Sequence, residues 1–311
     1  MSPEAEAVLG QYVAADPASL KLLDQARKLA DTNSTLLVRG ESGTGKDLLA
    51  LVIHYLGPHA DDPFVNIDCA SLPHELIESE LFGYERGAFT GATHLKRGRM
   101  EIAGEGTLVL NEVAALTTPM QAKLLRVIEE RKLDRLGGTR PIPVNARLIS
   151  VTNVDLEQAV ARKAFREDLY YRLNVVPLAV LPLRERKADV LPLAEHFLAQ
   201  LAEIHRRPHK KLSSQVAAAL EKYDFPGNVR ELRNLMERTV IQGAGARIEL
   251  EDLPAHVRGS GQARRQTLED LERAYIAEIL DYTRGKKSKA AEILGITRKT
   301  LLEKRKRYKL D

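Results

Sequence analysis

GESGTGKD, residues 40–47, is the stretch from which the rest of the chain can be read. Glycines at 40, 43 and 45 let the backbone turn tightly and aim N–H groups at phosphate oxygens, and Lys46 adds a cation near the β- and γ-phosphates. The context matches: Thr35–Arg39 is a short β-like run ahead of it, and Leu48–His54 has a helical pattern behind it. A strand entering and a helix leaving distinguish a phosphate-binding loop from a ligand-free glycine turn. Gly40, Glu41, Ser42, Gly43, Thr44, Gly45, Lys46 and Asp47 are therefore assigned to a bound nucleotide. Asp47 stands where the general pattern has a Ser or Thr that meets Mg²⁺.

Further apolar runs follow at Phe64–Ile67, Thr107–Leu110, Arg147–Thr152 and Val175–Leu178, separated by helix-length segments such as Pro119–Arg131. Short buried strands alternating with helices imply an α/β layer built on a mainly parallel sheet. TLVLNE, Thr107–Glu112, ends a strand on Asn111 and Glu112, where a nucleotide site needs its acidic pair. Glu112 can orient or deprotonate an attacking water. Asn111 can offer a carbonyl oxygen to a magnesium-bound water but carries no charge. Asn111 and Glu112 are the candidate metal residues, and the uncharged Asn111 predicts turnover lowered by about 10²-fold with nucleotide binding kept. Otherwise Glu112 is a surface carboxylate at a strand end.

After Pro182 the strands stop. Asp189–His205, Ser213–Tyr223 and Asn228–Gln242 are helical in pattern, with Ser213 and Asn228 as expected N-caps. RGSGQARRQ, Arg258–Gln266, reads as a linker. The organisation expected is an α/β subdomain over 1–182, a helical domain over 183–257, a linker over 258–266 and a last module over 267–311, its first helix running from Thr267 to Tyr282 ahead of a break at Arg284-Gly285.

The chain has 311 residues, 44% apolar and 29% charged, and a net charge of +4. Residues 284–311 carry 11 Lys/Arg against 3 Asp/Glu, so the tail is +8 and the body is left at −4. A basic tail on an acidic body suits a polyanion, most simply nucleic acid. SKAAEILGITRKTLLEKRKRYKL, Ser288–Leu310, reads as helix-turn-helix: Ala290, Ala291, Ile293 and Leu294 form a packing face, Gly295 allows the turn, Thr297 caps the second helix, and Leu301 and Leu302 bury its inner face. Thr297, Arg298, Lys299 and Thr300 would then lie where base edges are reached, with Lys304, Arg305, Lys306 and Arg307 on phosphates. A basic hairpin that binds protein is the alternative. No stretch approaches the roughly 20 apolar residues of a membrane helix. MSPEAEAVLG lacks the basic and apolar parts of a secretion signal, and the single cysteine, Cys69, allows no intrachain disulfide, so a cytoplasmic protein without a membrane partner is expected.

ESELFGYERGAFTGA, Glu78–Ala92, closes the reading. In Gly87, Ala88, Phe89, Thr90, Gly91 and Ala92 two glycines frame small residues around an aromatic, which cannot make a well-packed helix. Phe89 either folds into the core or marks a contact tip. With GESGTGKD, QAKLLRVIEE (Gln121–Glu130), FREDLYYRLNVVPL (Phe165–Leu178), LPLRER (Leu181–Arg186) and FPGNVREL (Phe225–Leu232), this stretch resembles the sigma-54-dependent transcriptional activators, or bacterial enhancer-binding proteins, of the AAA+ superfamily. The resemblance covers about residues 9–257 and resumes in a Fis-type C-terminal module. It implies an α/β AAA+ P-loop NTPase with a parallel sheet, an all-α lid and a helix-turn-helix domain. It implies ATP and Mg²⁺ as cofactors, and as partners upstream enhancer-like DNA, sigma-54 RNA polymerase holoenzyme and a homo-oligomeric ring, a hexamer.

Residue by residue, the resemblance makes Asp68 a switch that holds Glu112 back, Thr152 and Asn153 the γ-phosphate sensor, Arg166 and Arg172 the arginines offered to a neighbour's ATP, Arg230 the lid's sensor arginine, and the GAFTGA loop the sigma-54 contact. The family commonly has Glu after the P-loop lysine, so Asp47 is a modest shortening, and Phe225 replaces a usual Trp. The implied function is ATP-driven open-complex formation. The alternatives are a hydrolysis-impaired DNA-binding regulator, motivated by Asn111, and another kind of AAA+ machine, which would have no reason to carry GAFTGA.

Overall fold

Leu36–Arg39, the strand that feeds the glycine-rich loop 40–45, lies inside a five-stranded parallel sheet in the computed structural model of the chain. The strand order is Phe64–Asp68, Thr107–Asn111, Arg147–Thr152, Leu36–Arg39, Val176–Ala179. The described residues are 3–243, 245–259, 272, 275–276, 279–280, 283 and 287–308. They fall into two compact units that divide at Arg258.

Alternation along the strands decides which helix covers which face. Leu36 and Val38, with Val109, Ile149 and Val151, pack under Leu22 and Ala26 of the helix Pro17–Ala30 and Leu49 and Ile53 of the helix Lys46–Leu56. Leu37, Leu108, Leu110 and Leu148 point the other way and meet Ile77, Leu81, Leu124 and Leu169. Burial on both faces is why these strands read as nearly unbroken apolar runs. The register pairs Asp68 with Asn111, Asn111 with Val151, and Arg39 with Thr152. The carboxyl ends of four strands therefore share one edge, and in open α/β sheets ligands bind outside that edge. The last strand begins one residue later than expected, at Val176, with Val175 exposed beside it. The phosphate-loop helix begins at Lys46 itself, two residues before its apolar pattern.

The helices Val190–Ile204, Ser214–Lys222 and Asn228–Gln242 enclose a separate core around Leu198, Phe225, Leu232 and Met236. Ser213 caps as expected, its hydroxyl accepting from Val216 N–H at 3.3 Å. Asn228 does not. Its side chain is buried, its Oδ1 accepts from Leu183 N–H at 2.8 Å, and its backbone is left-handed, with φ 53°. The end of that helix is satisfied from below, Glu231 accepting from Gly227 N–H at 2.8 Å. Phe225 is fully buried, edge-on to Tyr223. Phe225→Ala is expected to destabilise the unit by about 3–5 kcal/mol, read as a lower midpoint of denaturant unfolding.

One buried carboxylate joins the N-terminal segment to this helical core. Asp189 accepts from Ala15 and Asp16 N–H, both at 2.7 Å, and from the Ser19 hydroxyl, and lies 3.6 Å from the Arg186 guanidinium.

In the second unit, the helices Lys287–Ile293 and Arg298–Tyr308 meet across Gly295, whose φ of 66° favours glycine. Ile276, Ile279, Ala290, Ala291, Leu301 and Tyr308 are its core. Two residues read as inner turn outward: Ile293 is 41% and Leu302 42% exposed. Two adjacent leucines cannot share one helix face, and Leu301 takes the inner position. The linker beyond 259, most of the helix expected over 267–282 and the break at 284–285 lie outside the described residues.

Candidate functional site

The loop from Gly40 to Gly45 wraps the N-terminus of the helix Lys46–Leu56. Lys46 is buried, and its Nζ donates to the carbonyls of Gly40 and Glu41, both at 2.9 Å. Burial lowers its pKa, while the charges of Glu112 and Asp47 oppose that shift. Gly43, with φ 77°, carries no Cβ because one would sit 2.6 Å from the Gly227 carbonyl. The turn ahead of the helix Asn228–Gln242 rests directly on the loop.

That contact is a clasp. Arg184 grips both oxygens of Glu41 at 2.6 and 2.9 Å, and the Asn228 amide donates to Glu41 at 3.1 Å and to the Ser42 carbonyl at 3.1 Å. Arg184 chiefly, with Asn228, holds the Glu41 carboxyl down at about 2. Arg230 donates to the Ser42 hydroxyl at 3.0 Å, and buried Arg186 to the Thr44 carbonyl at 2.6 Å.

The acidic side of the cleft comes from the strand ends. Asn111 donates through Nδ2 to Asp47 Oδ1 at 2.7 Å. Burial pushes the Asp47 carboxyl upward. Glu112 has a left-handed backbone, φ 52°, a conformation that a non-glycine residue holds at some cost and that recurs at functional sites. Its carboxylate accepts from Asn153 N–H at 3.4 Å. Asp68 is held at its strand end by accepting from Ala70 N–H at 2.9 Å, and the buried Thr152 hydroxyl accepts from Val154 N–H at 3.0 Å. Lys46, Asp47, Asp68, Glu112, Arg230 and Tyr12 line one cleft of about 590 Å³.

Arg166 and Arg172 are not part of that lining. Arg166 pairs with Asp168 at 2.6 Å and Arg172 with Glu129 at 3.1 Å, both in solvent-reaching positions. The segment carrying Arg166 is nonetheless fixed, because buried Gln121 accepts from Arg166 N–H at 2.8 Å and donates to the Leu116 and Ala164 carbonyls.

The loop 87–92 projects from a two-stranded stem, Gly83–Tyr84 paired with Lys96–Arg97. Gly87 N–H bonds to the Ala92 carbonyl at 2.9 Å and Ala92 N–H to the Phe89 carbonyl at 3.0 Å, closing a small turn. Gly87 and Gly91, with φ of 86° and 105°, supply its left-handed corners. Of the two readings of Phe89, the exposed one holds: it is 47% exposed, its ring edge-to-face with Tyr84 at 5.0 Å. Thr90 is exposed beside it, and Ala92 is buried. Ala88 is backed by a second loop, where a Cβ on Gly137 would lie 2.8 Å from its Cβ.

In the second unit Thr297 caps the helix Arg298–Tyr308, accepting from Thr300 N–H at 3.1 Å and sharing a hydrogen bond with the Thr300 hydroxyl at 2.8 Å. Arg298 and Lys299 are exposed at that end. Lys304 is engaged with Glu272 at 2.6 Å, and Tyr308 donates to the same carboxylate at 2.6 Å.

Arg184, Arg186, Asn228, Gln121 and Tyr12 carry contacts that no spacing rule announces. Four of them lie within LPLRER, FPGNVREL and QAKLLRVIEE, which stand out as stretches without their roles being apparent.

The family model for the Sigma-54 interaction domain matches residues 12–179, that for the AAA+ ATPase lid domain 184–270, and that for bacterial regulatory proteins of the Fis family 267–308. The chain is 39% identical over 315 residues to the regulatory protein AtoC of Escherichia coli, covering 97% of this chain and 68% of that protein. It is 42% identical over 307 residues to the transcriptional regulatory protein ZraR of Salmonella typhi, covering 97% and 70%. Crystal structures of NtrX from Brucella abortus superpose with a TM-score of 0.77 at 34% identity, covering 98% of this chain and 71% of that one, and, in complex with ATP, 0.74 at 34% identity, covering 95% and 69%.

Proposed function

The chain belongs to the sigma-54-interacting family of AAA+ transcriptional regulators, and on that premise we propose that it is an ATP-driven ring, a hexamer, that binds upstream DNA and remodels the sigma-54 polymerase complex. The loop 40–45 and Lys46 bind the phosphates. Glu112 orients and deprotonates the attacking water, Thr152 and Asn153 sense the γ-phosphate, and Arg230 reports its state to the lid. The oxygen-rich donors Asp47, Asn111 and Glu112 suit a hard cation, and magnesium bound with ATP would neutralise charge on the β- and γ-phosphates. Arg166 and Arg172 complete the cleft of a neighbouring subunit, which a head-to-tail ring requires. Thr297, Arg298, Lys299 and Thr300 face base edges and Lys304 and Arg305 the phosphates, Lys304 exchanging Glu272 for DNA.

Continuity is the observation that carries this reading. Asp68 ends a strand inside the cleft, and the helix His74–Phe82 begins a few residues later and runs straight into the Gly83–Tyr84 stem of the exposed loop. A shift of Asp68 on γ-phosphate loss would therefore have a short path to Phe89, through the turn 69–73 and the helix His74–Phe82. The test is open-complex formation on a sigma-54 promoter, with and without upstream sites. Strand opening that needs hydrolysable ATP and is enhanced by those sites supports the reading. A chain that stays monomeric at saturating ATP and Mg²⁺ overturns it.

A further inference from the structure

We propose that Arg39, Glu157 and Tyr170 are positioning residues that tie the helix offering Arg166 and Arg172 to its own subunit's phosphate loop. The proposal rests on the shared-pocket reading above and adds to it the means by which the lending subunit sets its arginines. Tyr170 lies in the helix Glu167–Leu173, with Arg166 just ahead of that helix and Arg172 in its last turn. Its hydroxyl donates to Glu157 at 2.7 Å, accepts from the Asn174 amide at 2.7 Å and lies 3.5 Å from an Arg39 nitrogen. Another nitrogen of Arg39 donates to both oxygens of Glu157, at 2.7 and 2.8 Å, and the guanidinium lies over the Tyr170 ring, 5.7 Å from its centroid.

The partners come from different parts of the nucleotide site. Arg39 ends the strand that enters the loop 40–45 and is paired in register with Thr152. Glu157 lies in the helix Leu156–Ala161, which opens directly after the sensor residues and is capped by Asp155, accepting from Gln158 N–H at 3.0 Å. A phenol has one proton to give, and this one goes to Glu157. Tyr170 first, and Arg39 with it, hold the Glu157 carboxyl down at about 2. One ionised carboxylate thus joins three elements through charge-assisted bonds: the strand end, the helix behind the sensor and the helix with the arginines. None of the three residues lines the nucleotide cleft, so they act on the chemistry only through what they hold. Gln121 fixes the backbone at Arg166, and Tyr170 fixes the helix that follows. A cation aimed at a γ-phosphate acts through its distance, and misplacement by about 1 Å costs about 10²-fold.

Lending is read apart from a subunit's own cleft by mixing. On the shared-pocket reading, Glu112→Gln subunits lend Arg166 without hydrolysing, and Arg166→Ala subunits hydrolyse only with a borrowed arginine. ATP turnover of an equal mixture is measured with Tyr170→Phe placed in one partner or the other. In the lending subunit Tyr170→Phe is expected to lower turnover about 10-fold. In the receiving subunit it is expected to leave turnover within about twofold of the control mixture. Arg39→Met is placed in the lending subunit alone, where damage to its own cleft is silent. It is expected to lower turnover about as much as Tyr170→Phe, with the double variant no worse than the more severe single one. A loss below about twofold in the lending subunit overturns the proposal. So does an equal loss in both placements, which marks a damaged fold, and so do losses that add in the double variant. A control mixture without turnover defeats the shared-pocket reading and this proposal with it, and an active control that is insensitive to Tyr170→Phe defeats the proposal alone.

Discussion

Alanine at Arg166 is expected to cut ATP turnover by about 10³-fold or more, with ATP still bound. Arg172→Ala should do the same. A γ-phosphoryl group in transfer spreads negative charge over its oxygens, and a cation aimed at it is among the largest electrostatic contributions to the rate. Neither arginine reaches its own subunit's cleft. Each is parked on a nearby carboxylate, Asp168 or Glu129, in a solvent-reaching pair. Exposed pairs contribute about 0.2–1 kcal/mol, so either arginine can leave its partner at little cost. The backbone beneath Arg166 is held by Gln121, so a change of partner needs no movement of the main chain. Steady-state hydrolysis, with ATP affinity measured separately, checks the loss.

Mixing distinguishes a shared site from a merely damaged fold. On the proposed reading, Glu112→Gln removes the base from a subunit's own cleft, and Arg166→Ala removes the cation it would lend to a neighbour. Neither variant alone should turn over. In an equal mixture the clefts of Arg166→Ala subunits are completed by Glu112→Gln neighbours, and about a quarter of all sites are expected to be whole. A mixture as inactive as its two parents sinks the shared pocket.

Much of this fold is legible in the sequence. Strand–loop–helix around GESGTGKD announces itself because the phosphate loop needs glycine where φ is positive and because parallel strands are apolar on both faces. Residues set by local geometry were equally readable, such as Ser213 and Thr297 as caps and Gly295 as a hinge. Asn228 was not. It sits two residues after Pro226 and opens a helix, which is the local signature of a cap, but its amide is used across the cleft on Leu183, Glu41 and Ser42. Those partners are 45 and nearly 190 residues away in the chain, and no window of sequence contains them. The same holds for Asp47 and Asn111, which are 64 residues apart and meet only because the sheet register brings their elements together. Leu302 shows the opposite limit, since composition alone does not say which of two neighbouring leucines faces inward.

Phe89→Ala and Thr90→Ala should abolish activation at sigma-54 promoters while leaving hydrolysis within about twofold of the parent. The loop's shape does not depend on those side chains. Its turn is closed by backbone bonds, Gly87 to Ala92 and Ala92 to Phe89, and its corners are glycines. Truncating Phe89 removes one ring contact, with Tyr84, and an apolar surface already half in water, so the folded chain loses little. A partner loses an aromatic anchor, and such anchors are worth about 2 kcal/mol or more when buried at an interface, which is about 30-fold in binding. Thr90 is β-branched and exposed at the tip, so Thr90→Ala removes a hydroxyl and a methyl from the contact without touching the turn. The measurement pairs sigma-54 binding, with ATP held near the transition state by an analogue, against transcription from the same promoter. Activation retained by either variant, with unchanged sigma-54 binding, would mean that the loop is not the finger that pushes.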